Sequence, residues 1–199
     1  MRIWLALALV VPGIVAAQSR DDEIRLARSA APAVIAKDAK VYVLDKGHYV
    51  VADPGRSAEV CQVSRPGPYD VAPECGDAEA DATELATERF RTEQRLAGRS
   101  KTDIDRALQE GITSGRFRTP TRPALVFMMS SGQQLTNPDG SKVGKWYPHV
   151  MIFYPGVTAT EMGIVDSPDV NVPAVADPGG PRSALIVVAR DWVDPAPTQ

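Results

Sequence analysis

An α+β domain built on an antiparallel sheet is the fold class this sequence predicts, with an N-terminal helix, an αα-hairpin and two strand meanders. Three observations predict it. Short apolar runs of β-formers fall into two groups, at residues 40–63 and 124–189. Between the groups lies a stretch with helical spacing and capping residues. Within each group the connections read as turns and loops rather than helices, which favours antiparallel neighbours. The organising pair is Ala124-Leu125-Val126-Phe127-Met128-Met129-Ser130 and Trp146-Tyr147-Pro148-His149-Val150-Met151-Ile152-Phe153-Tyr154-Pro155. Both lack a polar alternate position, as strands buried on two faces do, so both are expected at the centre of the sheet. The turn sequence Asn137-Pro138-Asp139-Gly140 between them makes a long-looped hairpin.

Taken from the amino end, Met1-Arg2, the apolar Ile3 to Val15 and the small residues Val15-Ala16-Ala17 have the three-part layout of a secretory signal peptide, with cleavage expected after Ala17. The apolar run is short for a membrane span and contains Pro12 and Gly13. Gln18, rather than a lipoprotein cysteine, follows the cleavage point, so no stable membrane anchor is expected afterwards. Asp21-Asp22-Glu23 followed by Arg25 and Arg28 suits a helix dipole, with Pro32 as the stop. Next, 40–44 and 48–52 flank Asp45-Lys46-Gly47 as a hairpin. Pro54-Gly55 then turns the chain into 59–63, a third strand that completes a meander and carries Cys61.

Asp77 caps a helix expected over 78–97 with Gly98 as its left-handed terminator. Its apolar stripe is Ala82, Leu85, Ala86, Phe90, Leu96 and Ala97, while Glu84, Glu88, Arg91 and Arg95 line other faces. Ser100 with Asp103 opens the second helix of an αα-hairpin, buried through Ile104, Ala107 and Leu108 and ending at Gly111 or Gly115. After the central hairpin comes a long connection, 156–183, rich in Pro, Asp and Gly. Ala184 to Ala189 is the last strand, and 194–199 is a flexible tail.

Removing residues 1–17 from the 199 leaves 182, the size of one domain, taken here as 18–193. With 22 basic against 25 acidic residues and no basic tract, the composition excludes nucleic acid as a partner. The only cysteines, Cys61 and Cys75, are read as a disulfide in an oxidising compartment; their spacing does not fit a C-x-x-C metal site. No metal or cofactor is expected.

Taken together, the signal peptide, the early helix ending in Ala-Ala-Pro, the cysteine pair, Met128-Met129-Ser130 and the Trp146 to Phe153 segment resemble a group of small exported bacterial proteins of unknown function. The resemblance implies a periplasmic or secreted address. It carries over no functional residue.

Histidine chemistry has two candidates, His48 and His149. His48 beside a turn reads as a solvated edge residue. A hairpin symmetric about its loop sets Ser130 opposite His149, Met128 opposite Met151 and Val126 opposite Phe153. An antiparallel last strand then returns Asp191 to the same end, giving the Ser130, His149 and Asp191 constellation of a hydrolase. The other reading makes His149 a structural residue satisfied by Ser130 or by backbone groups, because neither a G-x-S-x-G elbow nor a glycine-rich oxyanion loop is present. Trp146, Tyr147 and Trp192 gather at the same sheet end as a candidate aromatic binding surface. The sequence therefore favours an exported soluble cell-envelope protein, a non-enzymatic binding or structural module, with the hydrolase as alternative.

Overall fold

The computed structural model describes residues 19–136, 141–144, 146–165, 167, 169 and 171–197. The segment read as a signal peptide and the turn Asn137-Pro138-Asp139-Gly140 lie outside these residues.

Helix α1 (Arg20–Arg28) starts where Ser19 accepts a hydrogen bond from the Asp22 amide, and its acidic first turn and basic last turn complement the helix dipole. A one-turn helix, α2 (Ala33–Ala36), follows Pro32. Strands β1 (Lys40–Asp45) and β2 (His48–Asp53) form the expected hairpin. Lys46 and Gly47 both take positive φ, the pattern of a two-residue turn whose twist matches the strands it joins.

The first meander is rearranged from the sequence expectation. β3 (Val60–Ser64) does not continue beside β2; it lies on the other side of β1 and runs parallel to it, pairing Lys40 with Val60 and Val41 with Cys61. The long Asp53 to Glu59 connection, anchored by the Arg56 and Ser57 amides on the Asp38 carbonyl, carries the chain past β1. After a proline-containing connection, Ala72–Gly76 forms β4, a strand not anticipated from the sequence, antiparallel to β3. Cys61 and Cys75 face each other directly in that pairing and are joined as a disulfide.

The helix expected over 78–97 breaks at Thr83 into α3 (Ala78–Ala82) and α4 (Glu84–Leu96), capped at its start by Asp77 and ended by Gly98 at φ 82°. Helix α5 (Lys101–Thr113), capped by Ser100, completes the αα-hairpin. Its Gly111 has no side chain because Phe117 fills that space and stacks at 4.9 Å on Phe90 of α4.

Strand β8 (His149–Phe153) lies between β5 (Ala124–Met128) and β10 (Ala184–Val188) and is antiparallel to both, with β9 (Ala174–Ala176) antiparallel to β10 at the edge; β6 (Leu135–Thr136) and β7 (Lys142–Gly144) form a separate two-stranded ribbon inside the long hairpin loop. The sheet order is β2-β1-β3-β4-β5-β8-β10-β9, so the two organising strands are interior. Their burial is not complete: β5 alternates, with Ala124, Val126 and Met128 buried and Leu125 and Phe127 half-buried, while β8 is buried at His149 and Phe153 and half-buried between. The register also differs from the symmetric one by two residues, with Met128 opposite His149, Val126 opposite Met151 and Ala124 opposite Phe153. The chain leaves the sheet after Met128, because the Met129 amide donates to Ala30 and its carbonyl accepts from Val193.

Helices cover both faces. Helix α1 packs on β1, β3 and β4; α3 and α4 pack on the opposite face over β2 to β5. Ala27, Ala30 and Ala31 are fully buried, small residues that let the helix segment lie close against the sheet, with the Ala27 carbonyl 3.4 Å from the Cys75 sulfur. The disulfide thus sits at the centre of the α1 layer, together with Val41, Val63 and Leu26.

The Cys61–Cys75 bond closes a loop of 14 residues' separation, which on the chain-entropy account contributes about 3 kcal/mol. The double variant Cys61→Ala, Cys75→Ala is expected to keep its far-ultraviolet dichroism and to lose about 3 kcal/mol in urea unfolding. An unchanged unfolding midpoint would contradict the role given to the bond.

Candidate functional site

Because side chains alternate along a strand, β4 turns Cys75 toward α1 and Glu74 toward α4; Gln62 and Ser64 on β3 point the same way as Glu74. Glu74 is 6% exposed. Its Oε2 accepts from Ser64 Oγ at 2.8 Å and from Gln62 Nε2 at 3.2 Å, and Arg89 holds the other end of Gln62 at 2.6 Å. On α4, Glu84, Glu88 and Arg91 follow one another at helical spacing and share a face. That face is directed inward: Glu84 is 3% exposed and Thr87 and Thr92 are also buried, whereas Ala82 and Leu96 of the expected apolar stripe are exposed. The polar face can be buried because cations meet it. Arg182, from the connection between β9 and β10, donates from Nε to Glu84 at 2.7 Å and from Nη2 to Glu88 at 3.0 Å.

Between these groups and the sheet lies a pocket of about 380 Å³. Val126 and Met128 of β5 with Met151 and Phe153 of β8 form its apolar floor; Glu74, Glu84, Leu85, Glu88 and Arg91 make one wall; Ala176, Asp177 and Arg182 make the lip. Arg91 Nε lies 3.4 Å from Glu88 Oε1, within ion-pairing range but without hydrogen-bond geometry, and its Nη1 reaches Asp105 at 3.3 Å.

Burial pushes the Glu74 carboxyl up to about 8, with the charge of Glu88 adding to the effect and that of Arg182 opposing it, and so favours its neutral form. Burial also raises Glu84, with Arg182 opposing it. For Arg182 itself burial works against the charge, but Glu88 and Glu84 outweigh it and hold the guanidinium ionised.

The residues singled out in the sequence lie elsewhere. Ser130 is fully buried, its hydroxyl 2.5 Å from Ser29 Oγ and accepting from the Gly132 amide. His149 is 4% exposed and donates from Nδ1 to the Tyr147 carbonyl at 2.7 Å; burial lowers its pKa below 6.5. The expected antiparallel return of the last strand is present, with Val188 opposite His149, and Asp191 is exposed beyond it. The register expected to pair Ser130 with His149 instead gives His149 to Met128, while Ser130 bridges Val193. Trp146, Tyr147 and Trp192 are exposed at 46%, 58% and 37%, with the Trp146 ring 6.4 Å from His149. His48 is exposed at its turn, 3.9 Å from Glu93. Among the described residues no group of three His, Cys, Asp or Glu is arranged to hold a metal ion.

Sequence reasoning missed Glu74, Glu84, Glu88 and Arg182. The available signals were Glu84, Glu88 and Arg91 on one helical face, and a glutamate set directly between a proline and a half-cystine, in Pro73-Glu74-Cys75. Comparison of the chain with protein-family models, with curated proteins and with solved structures gives no match.

Native Glu74 keeps its proton up to about 8, whereas an unfolded carboxyl loses it near 4.5. The stabilisation from native protonation is therefore full below 4.5 and is lost as pH rises through about 8. His149 acts in the opposite sense, since its lowered pKa makes stability fall as the pH drops below 6.5. Urea unfolding is expected to show that Glu74→Gln removes a downward contribution to wild-type stability between about pH 4.5 and 8, while the loss below 6.5 assigned to His149 persists. An identical pH dependence in the variant would contradict the assignment.

Proposed function

We propose that this protein is an exported cell-envelope module that binds a small molecule in the pocket between α4 and the β5/β8 sheet face, and that it acts by binding rather than by catalysis. One observation carries the reading: a concave site of about 380 Å³ joins an apolar floor to a few buried polar groups, the composition typical of small-molecule sites. The reading is preferred to a hydrolase because the hydrogen bonds of Ser130 go to Ser29 and Gly132 and that of His149 goes to a backbone carbonyl, whereas nucleophilic catalysis requires serine and base in contact.

The address rests on the layout of residues 1–17, on the resemblance to small exported bacterial proteins, and on a disulfide, which persists in oxidising compartments. No helix among the described residues is long and apolar enough to cross a membrane. Amino-terminal sequencing of the protein recovered outside the cytoplasm is expected to begin at Gln18.

Binding is tested on the methionine methyl groups by carbon–proton NMR, with a mixture of phenylalkyl amines, alcohols and carboxylates as probe. Saturable shifts at Met128 and Met151, with Met129 and Met162 unmoved, are the expected result. Saturable shifts confined to the indole signals of Trp146 and Trp192 would move the site to the aromatic end of the sheet, and no saturable shift at all would contradict the binding reading.

A further inference from the structure

The pocket has a charge imbalance that its own residues do not close. Four carboxyl groups line it, Glu74, Glu84, Glu88 and Asp177, against two guanidiniums, Arg91 and Arg182. Arg182 is committed to Glu84 and Glu88. Arg91 divides itself between Glu88 and Asp105, and Asp105 lies outside the pocket. Among the described residues Glu74 forms no ion pair: the charge of Arg182 acts on it only from a distance, both donors it receives, Ser64 and Gln62, are neutral, and both converge on the one oxygen Oε2. At the lip, Asp177 is held at φ 46°, a left-handed conformation that side-chain-bearing residues seldom adopt and that Asp tolerates better than most.

Each ligand chemistry meets this lining differently. An anionic head would add a further negative charge beside carboxylates already in excess. A neutral head would leave Glu74 without an ionic partner. A cation can pair directly with that carboxyl in exchange for its proton, and a buried carboxyl gains most from a partner that is both charged and hydrogen-bonding. Below the carboxyls, Met128, Met151 and Phe153 offer an apolar and, in the methionines, adaptable surface.

Taking the cavity as the binding site proposed above, we infer that its occupant is a small protonated amine with an apolar body, the ammonium resting against Glu74 and the hydrocarbon on Met128, Met151 and Phe153. Binding then converts neutral Glu74 and the ammonium ion into a carboxylate–ammonium pair, and the carboxyl proton passes to solvent. The charged and titratable groups around Glu74 are Glu84, Glu88, Arg89 and Arg91 from α4, Arg182 and Asp177 from the β9–β10 connection, and Tyr49 from β2. Burial holds the Tyr49 phenol neutral and raises Glu84 as well as Glu74, so the source of the released proton is decided by its loss in Glu74→Gln.

The test is calorimetric titration of the full mature protein at neutral pH with 2-phenylethylamine hydrochloride, 2-phenylethanol and 3-phenylpropanoate, each in two buffers of different ionisation enthalpy. The amine is expected to bind at least about tenfold more tightly than the alcohol, releasing close to one proton, and the carboxylate more weakly than either. Glu74→Gln should bring the amine down to the affinity of the alcohol and abolish proton release. Its retained affinity for the alcohol, with native dichroism, shows that the variant is folded. Equal binding of all three probes, or an amine preference that survives Glu74→Gln, overturns the amine assignment and leaves a general binding pocket standing. Failure of all three to bind overturns both.

Discussion

Arg182 holding Glu84 and Glu88 is the interaction on which the far half of the molecule depends. The helices lie chiefly over β1 to β5, and the strands beyond, β8, β10 and β9, are held by sheet hydrogen bonds, by Phe153 and Ala184 in the core cluster that includes Ala80 and Leu85, and by this side chain reaching back from their connecting turn to α4. Bringing these charges out of water is costly, and their attraction in the interior does little more than offset that cost. Removing Arg182 alone, however, would strand two carboxylates, a change that typically costs about 3 to 5 kcal/mol. The ion triad therefore contributes less to net stability than to geometry. It fixes the distance between the β9–β10 turn and α4, and with it the opening of the pocket.

Much of the fold was legible because local signals and tertiary structure agree. Ser19, Asp77 and Ser100 cap helices, Gly98 ends one, Lys46-Gly47 turns a hairpin, and the apolar runs at 124–128, 149–153 and 184–188 are adjacent interior strands. What was not legible has physical causes. The parallel placement of β3 beside β1 is set by a connection that hydrogen-bonds to Asp38, far from it in sequence. β4 contains Pro73, a residue that weakens a strand assignment, yet the disulfide and the pairing with β3 hold it in the sheet. The two-residue register difference at His149 follows from the chain leaving the sheet to bond Ala30 and Val193, which no turn rule anticipates.

The pocket was the least readable part, because hydrophobic periodicity looks for buried apolar residues and α4 buries Glu84, Thr87 and Thr92 beside the single apolar Leu85. Glu84 on a helix reads as solvated unless its partner is known, and the partner is 98 residues away in an irregular connection. Glu74 likewise reads as a loop residue until β3 and β4 pair and place Gln62 and Ser64 on either side of its carboxyl. His149, by contrast, drew attention as one of two histidines, and its environment is that of a buried residue bonded to its own backbone neighbourhood.

The central claim is that one interior carboxyl is kept without an ion pair beside a triad that has one, and that burial holds Glu74 protonated in the empty pocket at neutral pH. Infrared spectroscopy reads the point directly, since a protonated carboxyl has a C=O stretch distinct from that of a carboxylate. Wild type in neutral buffer is expected to show that band, and Glu74→Gln to lose it with the remainder of the carboxyl region unchanged. A spectrum with no protonated carboxyl at neutral pH, or a band that survives Glu74→Gln, would contradict the account.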